Sequence, residues 1–111
     1  MNNRLLALAK EAAEEKKAHN PVLLDLRGIS GVTDYFLVCS GHNPVQVKAI
    51  ADNILDKFAN DAAPLPFKEG YNEGLWILLD CGEFVIHILR QEEREFYGLE
   101  HLWHDAKPVV L

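Results

Sequence analysis

The residues with chemistry to offer are scattered along this chain. His101 and His104 stand three apart on a helical stretch, flanked by Glu100 and Asp105. Two imidazoles at that spacing could ligate a metal, but there is no H-E-x-x-H and no identifiable third ligand, so solvated surface histidines are the better reading. Asp25, Asp34 and Asp80 each fall at or near a strand, which makes a carboxylate site for Mg²⁺ the main enzymatic possibility. They are spread over separate strands, and no D-x-D pair is present. His87, in the row Val85, His87, Leu89, could act as a base. No Ser or Cys nucleophile is placed to work with it, which favours a hydrogen-bonded, partly buried histidine. The loop Ser40, Gly41, His42, Asn43 could receive an anion at a helix start. It has one glycine and neither phosphate-binding glycine motif, so strand-to-helix capping explains it better.

Trp76 is harder to account for as packing. Residues 75–89 read as two short strands, rich in β-branched and aromatic residues, joined by a turn containing glycine. If Asp80 lies opposite Glu83, then Leu79 faces Phe84, Ile77 faces Ile86 and Leu75 faces Ile88, a wholly apolar face that must be covered. The other face carries Trp76, Leu78, Asp80, Glu83, Val85, His87 and Leu89. If that face were covered too, Asp80, Glu83 and His87 would each need a partner. Left half-exposed, Trp76 and Leu78 make an aromatic anchor with a charged rim, as protein interfaces do.

The remaining elements must position this hairpin. Residues 3–17 place Leu5, Leu8, Ala9, Ala12 and Ala13 on one helical stripe, and His19, Asn20 and Pro21 end that helix. Residues 22–27 read as a strand and 28–33 as a loop. Residues 34–40 are apolar on both faces in mid-strand, as expected near the centre of a sheet. Asn43 suits an N-cap, Pro44 the first helical position and Gln46 the third, where it can reach back to the cap backbone. Val47, Ile50, Ala51, Ile54, Leu55 and Phe58 then give one buried helical face. Residues 60–66 form a turn-rich link, 67–71 a short edge strand, and 72–74 a turn into the hairpin. Residues 92–103 read as a last helix, with Phe96, Leu99 and Trp103 on one stripe and Gly98 inside it, followed by a mobile tail from 106 to 111. The order α-β-β-α-β-β-β-α predicts an α/β (α+β) fold: a mixed sheet of about five strands, helices on one face, and a parallel crossover through the capped helix.

At 111 residues, one domain covering 1–111 is expected. The 49% hydrophobic and 25% charged content is that of a globular protein. No apolar run approaches the roughly 20 residues of a membrane helix, and no signal-peptide layout is visible, so a cytoplasmic location is expected. Cys39 and Cys81 have no C-x-x-C context and are expected to be reduced. A net charge of -6 disfavours naked nucleic acid and suits a basic protein.

Four motifs in order, DYFLVCSG at 34–41, QVKAIAD at 46–52, WILLDCGEFVIH at 76–87 and REFYGLEHLW at 94–103, closely resemble the ribosomal silencing factor family, also called Iojap. The resemblance runs from about residue 3 to residue 105. It implies a fold related to nucleotidyltransferases; the G-S motif and D-x-D pair of those enzymes are missing here, Ser40-Gly41 being in the opposite order, so the implied protein is a binder and not an enzyme. It also implies a partner, the large-subunit ribosomal protein uL14, whose occupation would keep the ribosomal subunits apart and lower translation when nutrients are short. By matched positions the binding patch would comprise Trp76, Leu78 and Asp80, with Glu69, Gly70 and Tyr97 as neighbours, Phe96 being left to fill the core. Cys81 stands where the family is often aliphatic. No cofactor or metal is implied, and a homodimer is. The alternatives are a metal-dependent nucleotidyltransferase-like enzyme using Asp25, Asp34 or Asp80, and a dimeric ribosome-assembly scaffold.

Overall fold

A computed structural model describes residues 3–29, 31, 33–98 and 107–109. Its elements are α1 (Asn3–Glu15), β1 (His19–Asp25), β2 (Tyr35–Gly41), α2 (Pro44–Asn60), β3 (Phe67–Glu69), β4 (Trp76–Asp80), β5 (Phe84–Arg90), α3 (Gln91–Tyr97) and β6 (Lys107–Val109). The strands form one mixed sheet in the order β3-β4-β5-β2-β1-β6, with β2 and β5 parallel and the other neighbours antiparallel.

The alternation of side chains along each strand decides where the core sits. Tyr35, Leu37 and Cys39 of β2, Ile77 and Leu79 of β4, and Phe84, Ile86 and Ile88 of β5 all point to one side. There they meet Leu6, Ala9, Ala12 and Ala13 of α1 and Val47, Ile50, Ala51, Ile54 and Phe58 of α2. The alanines of α1 let that helix approach closely. The expected start of α2 is also present: Asn43 Oδ1 accepts from the Gln46 N–H at 2.9 Å. Gln46 Oε1 reaches one residue further back than expected, to the His42 N–H at 2.7 Å, and its amide group donates to the carbonyls of Lys16 and Lys17. One side chain thus caps α2 and ties it to the end of α1.

Four expectations need correction. The hairpin register is Asp80↔Val85, Leu78↔His87 and Trp76↔Leu89, two residues from the pairing of Asp80 with Glu83. Asp80 instead turns its carboxylate onto the Gly82 N–H at 2.9 Å, and a shift of two preserves both faces. The last helix stops at Tyr97 because Gly98 takes a left-handed C-cap conformation, φ 55°, and leaves Phe96 81% exposed instead of in the core. Leu99, His101, Trp103 and His104 lie outside the described residues. The tail contains a strand, since residues 107–109 pair antiparallel with β1 and make the sheet six-stranded. Finally, α1 and α2 cover one face, but α3 meets the other, where Val38 and Leu89 pack with Phe36 and Trp76.

Candidate functional site

The second face of the sheet divides into a closed centre and an open flank. On β5, Val85, His87 and Leu89 are buried, which corrects the expectation of a face half-open throughout. On β4, Trp76 and Leu78 are half-buried and Asp80 is exposed. The difference follows from position: β5 is flanked by β2 and β4, whereas beyond β4 there is only the three-residue edge strand β3.

Edge strand β3 brings Glu69 opposite Leu78 and Phe67 opposite Asp80. Immediately after it, Gly70 adopts φ +76°, where a side chain is strained, and presses its backbone against that of Trp76. Glu69, Gly70, Trp76 and Leu78 line a shallow hollow of about 290 Å³. Tyr97 closes one side of the patch, its ring centroid 5.1 Å from that of Trp76. All six residues expected in the binding patch therefore fall on one flank, Asp80 and Glu69 supplying its negative rim.

Tyr97 arrives there because α3 is held firmly. The guanidinium of Arg94, itself buried, donates to the backbone carbonyls of His19 (2.9 Å) and Asn20 (2.8 Å) and to Ser40 Oγ (3.2 Å). A register irregularity in β1 between His19 and Val22, with Asn20 at φ 47°, accompanies this exposure of the two carbonyls. Ser40 donates onward to Gln91 Oε1 at 2.8 Å. Charge-assisted bonds to fixed carbonyls replace the water that the cation loses on burial. At the start of α3, Arg90 bonds Glu93 through two nitrogens, at 2.6 and 2.8 Å.

Behind Trp76 lies His87. The indole N–H donates to His87 Nδ1 at 3.1 Å, and the edge of Phe36 meets the imidazole at a centroid distance of 4.4 Å. Burial pushes the imidazole pKa down to about 4, so it is neutral at neutral pH. Phe36, His87, Trp76, Tyr97 and Phe96 form an unbroken series of ring contacts from the sheet interior to solvent.

The catalytic alternatives do not assemble. Asp25 is gripped by the Arg27 guanidinium at 2.8 to 3.2 Å and pairs with Tyr35 on the helix-covered face. Asp80 lies on the opposite face, two strands away from β2, and Asp34 precedes β2. Among the described residues no group of three or more His, Cys, Asp or Glu could hold a metal ion. Both cysteines are free, and burial pushes each thiol up to about 12, which removes the thiolate needed for nucleophilic work. No helix among the described residues is long and apolar enough to cross a membrane.

Sequence reasoning found the flank through Trp76 and through family-matched positions. It missed Arg94, whose partners among the described residues include His19, Asn20 and Ser40, and it missed the exposure of Phe96. The one available signal for the latter was Gly98, a residue suited to ending a helix.

Comparison with known proteins bears on the same residues. The family model described as "Ribosomal silencing factor during starvation" matches residues 2–111. A protein of Halalkalibacterium halodurans named ribosomal silencing factor RsfS is 40% identical over 110 residues, covering 99% of this chain and 94% of that one. A crystal structure from Bacillus halodurans superposes with a TM-score of 0.86 at 38% identity, over 99% of this chain and 100% of the other. More distantly, a mouse protein named mitochondrial assembly of ribosomal large subunit protein 1 is 32% identical over 74 residues, 64% of this chain and 32% of that protein. With a family match that spans both the hairpin and α3, the chain belongs to the ribosomal silencing factor family.

Proposed function

We propose that this protein docks on the large ribosomal subunit through the ribosomal protein uL14, using Trp76, Leu78, Asp80, Tyr97, Glu69 and Gly70. Bound there, it blocks joining of the small subunit and represses translation under nutrient limitation. The mechanism is steric competition in the cytoplasm; it needs no catalytic group, cofactor, metal or membrane. The observation that carries this reading is the Trp76–Tyr97 ring pair, half-open beside Leu78 and rimmed by Glu69 and Asp80. An amphipathic aromatic anchor with a charged border is the usual make-up of an interface hot spot. A chain of net charge -6 complements a basic ribosomal protein and speeds its encounter. The name of the mouse relative, which concerns assembly of the large ribosomal subunit, points to the same particle.

The test is calorimetry of purified uL14 with wild type, Tyr97→Ala and Leu78→Arg, with circular dichroism as a control on folding. Micromolar or tighter binding by wild type, lost in both folded variants, is the expected result. Equal binding by all three would place the interface elsewhere. A second reading, self-association through this flank, is favoured by Phe67, which is largely exposed on the edge strand beside the patch. It predicts a dimer that uL14 dissociates, and sedimentation velocity separates the two species.

A further inference from the structure

We propose that His87 is a positioning residue for the Trp76 anchor, its Nδ1 holding the indole in the one orientation that meets Tyr97 and faces the hollow. The last step, that this orientation serves binding, rests on the function proposed above.

A half-exposed tryptophan has several side-chain rotamers open to it, and freezing one on binding costs affinity. Here the freezing is done in advance. One contact is the hydrogen bond from the indole N–H to His87 Nδ1 at 3.1 Å, and another is the Tyr97 ring at 5.1 Å. The acceptor cannot drift, because His87 sits in mid-β5 with Leu78 and Val38 as register partners on its two sides and Phe36 edge-on to its ring.

Packing alone gives no reason for an imidazole at this position. The neighbours in its row of β5 are Val85 and Leu89, both buried and apolar. Since Nδ1 accepts, the ring proton resides on Nε2, and among the described residues that buried atom has no hydrogen-bond partner. An unpaired buried donor is destabilising, a penalty that a leucine would avoid. What the imidazole supplies in return is the lone pair that fixes Trp76. Burial keeps the ring neutral at neutral pH, so that lone pair stays available.

Imidazole and indole nitrogen NMR on the full chain tests the proposal. Wild type must show an acceptor Nδ1 and a protonated Nε2; the opposite tautomer overturns the proposal without any substitution. The indole signal of Trp76, identified by its loss in Trp76→Phe, should exchange with solvent about tenfold faster in His87→Leu. It should recover in His87→Asn, whose amide oxygen can take the place of Nδ1. Affinity for purified uL14 should fall about tenfold in His87→Leu and return to within about threefold in His87→Asn. In a Trp76→Phe background, which lacks the N–H, His87→Leu should change affinity by less than about twofold. Unaltered indole exchange in folded His87→Leu, or an equal affinity loss in both backgrounds, would overturn it. Wild type that fails to bind uL14 while the indole and tautomer results hold would defeat the proposed function and leave the positioning role intact.

Discussion

Gly70 lies so close to Trp76 that a Cβ added to it would stand 2.2 Å from the Trp76 carbonyl oxygen. The contact is backbone to backbone, between the end of β3 and the start of β4, so no side-chain motion can relieve it. It fixes the floor of the hollow.

Gly70→Ala is therefore expected to lose roughly 1–3 kcal/mol of stability, from the left-handed φ and the clash together. Urea unfolding measures it. The variant should also lose uL14 binding while β2 and β5 keep their slow amide exchange, because the damage is confined to the edge. A neutral Gly70→Ala would mean that β3 is free to move away.

Arg94 should matter for stability more than its place on a seven-residue helix suggests. Arg94→Met removes the donor shared by the carbonyls of His19 and Asn20 and by Ser40 Oγ, at a cost of roughly 2–4 kcal/mol. Arg94→Lys should recover less than half of that, since an ammonium cannot span three acceptors in the geometry of a guanidinium. Both are read by thermal and urea melts, and both should weaken the Trp76–Tyr97 contact.

How much of this was legible beforehand depended on how local the cause was. The start of α2 was readable because Asn43, Pro44 and Gln46 act within one turn, and its buried face because the period is internal to the helix. The faces of the hairpin were readable from alternation, but not its register, since Asp80 had two uses, pairing across the turn or capping Gly82, and nothing nearby chose between them. The end of α3 was signalled by Gly98 and overruled by a stripe that continued through Leu99 and Trp103. Strand β6 and the Arg94 cluster depend on pairing across most of the chain and leave no local trace. In the candidate site, the flank was legible as an excess of aromatic and acidic residues on one strand face. The bond from Trp76 to His87 was not, although the expected register sets the two opposite each other. In the true register they are diagonal neighbours, with Leu78 opposite His87, and alternation alone does not say which side chains bond across a face.

His87 sets an acid limit on stability. Its imidazole binds a proton near pH 6.5 when unfolded and at about 4 when folded. Between those values the unfolded chain holds the proton more tightly, so acid favours unfolding. The contribution is complete above about pH 6.5 and is lost as the pH falls towards 4, up to about 3 kcal/mol. The difference in unfolding free energy between wild type and His87→Leu should therefore slope with pH in this window and flatten above it. A flat difference throughout would mean that the ring is solvated.

The acidic rim should act on encounter more than on residence. Reversing it with Glu69→Lys is expected to slow association with uL14 about fivefold at low salt and to leave dissociation within about twofold. At about 0.5 M salt the difference should vanish. Stopped-flow mixing separates the two rates, and a change confined to dissociation would contradict the steering role.

The most direct test of the central claim is a subunit-joining assay with purified ribosomal subunits, comparing wild type with Tyr97→Ala, a change at a residue that is 50% exposed. The account predicts that wild type sediments with the large subunit and prevents formation of the joined ribosome, and that folded Tyr97→Ala does neither at the same concentration. Joining that proceeds undisturbed in the presence of excess wild-type protein would contradict it.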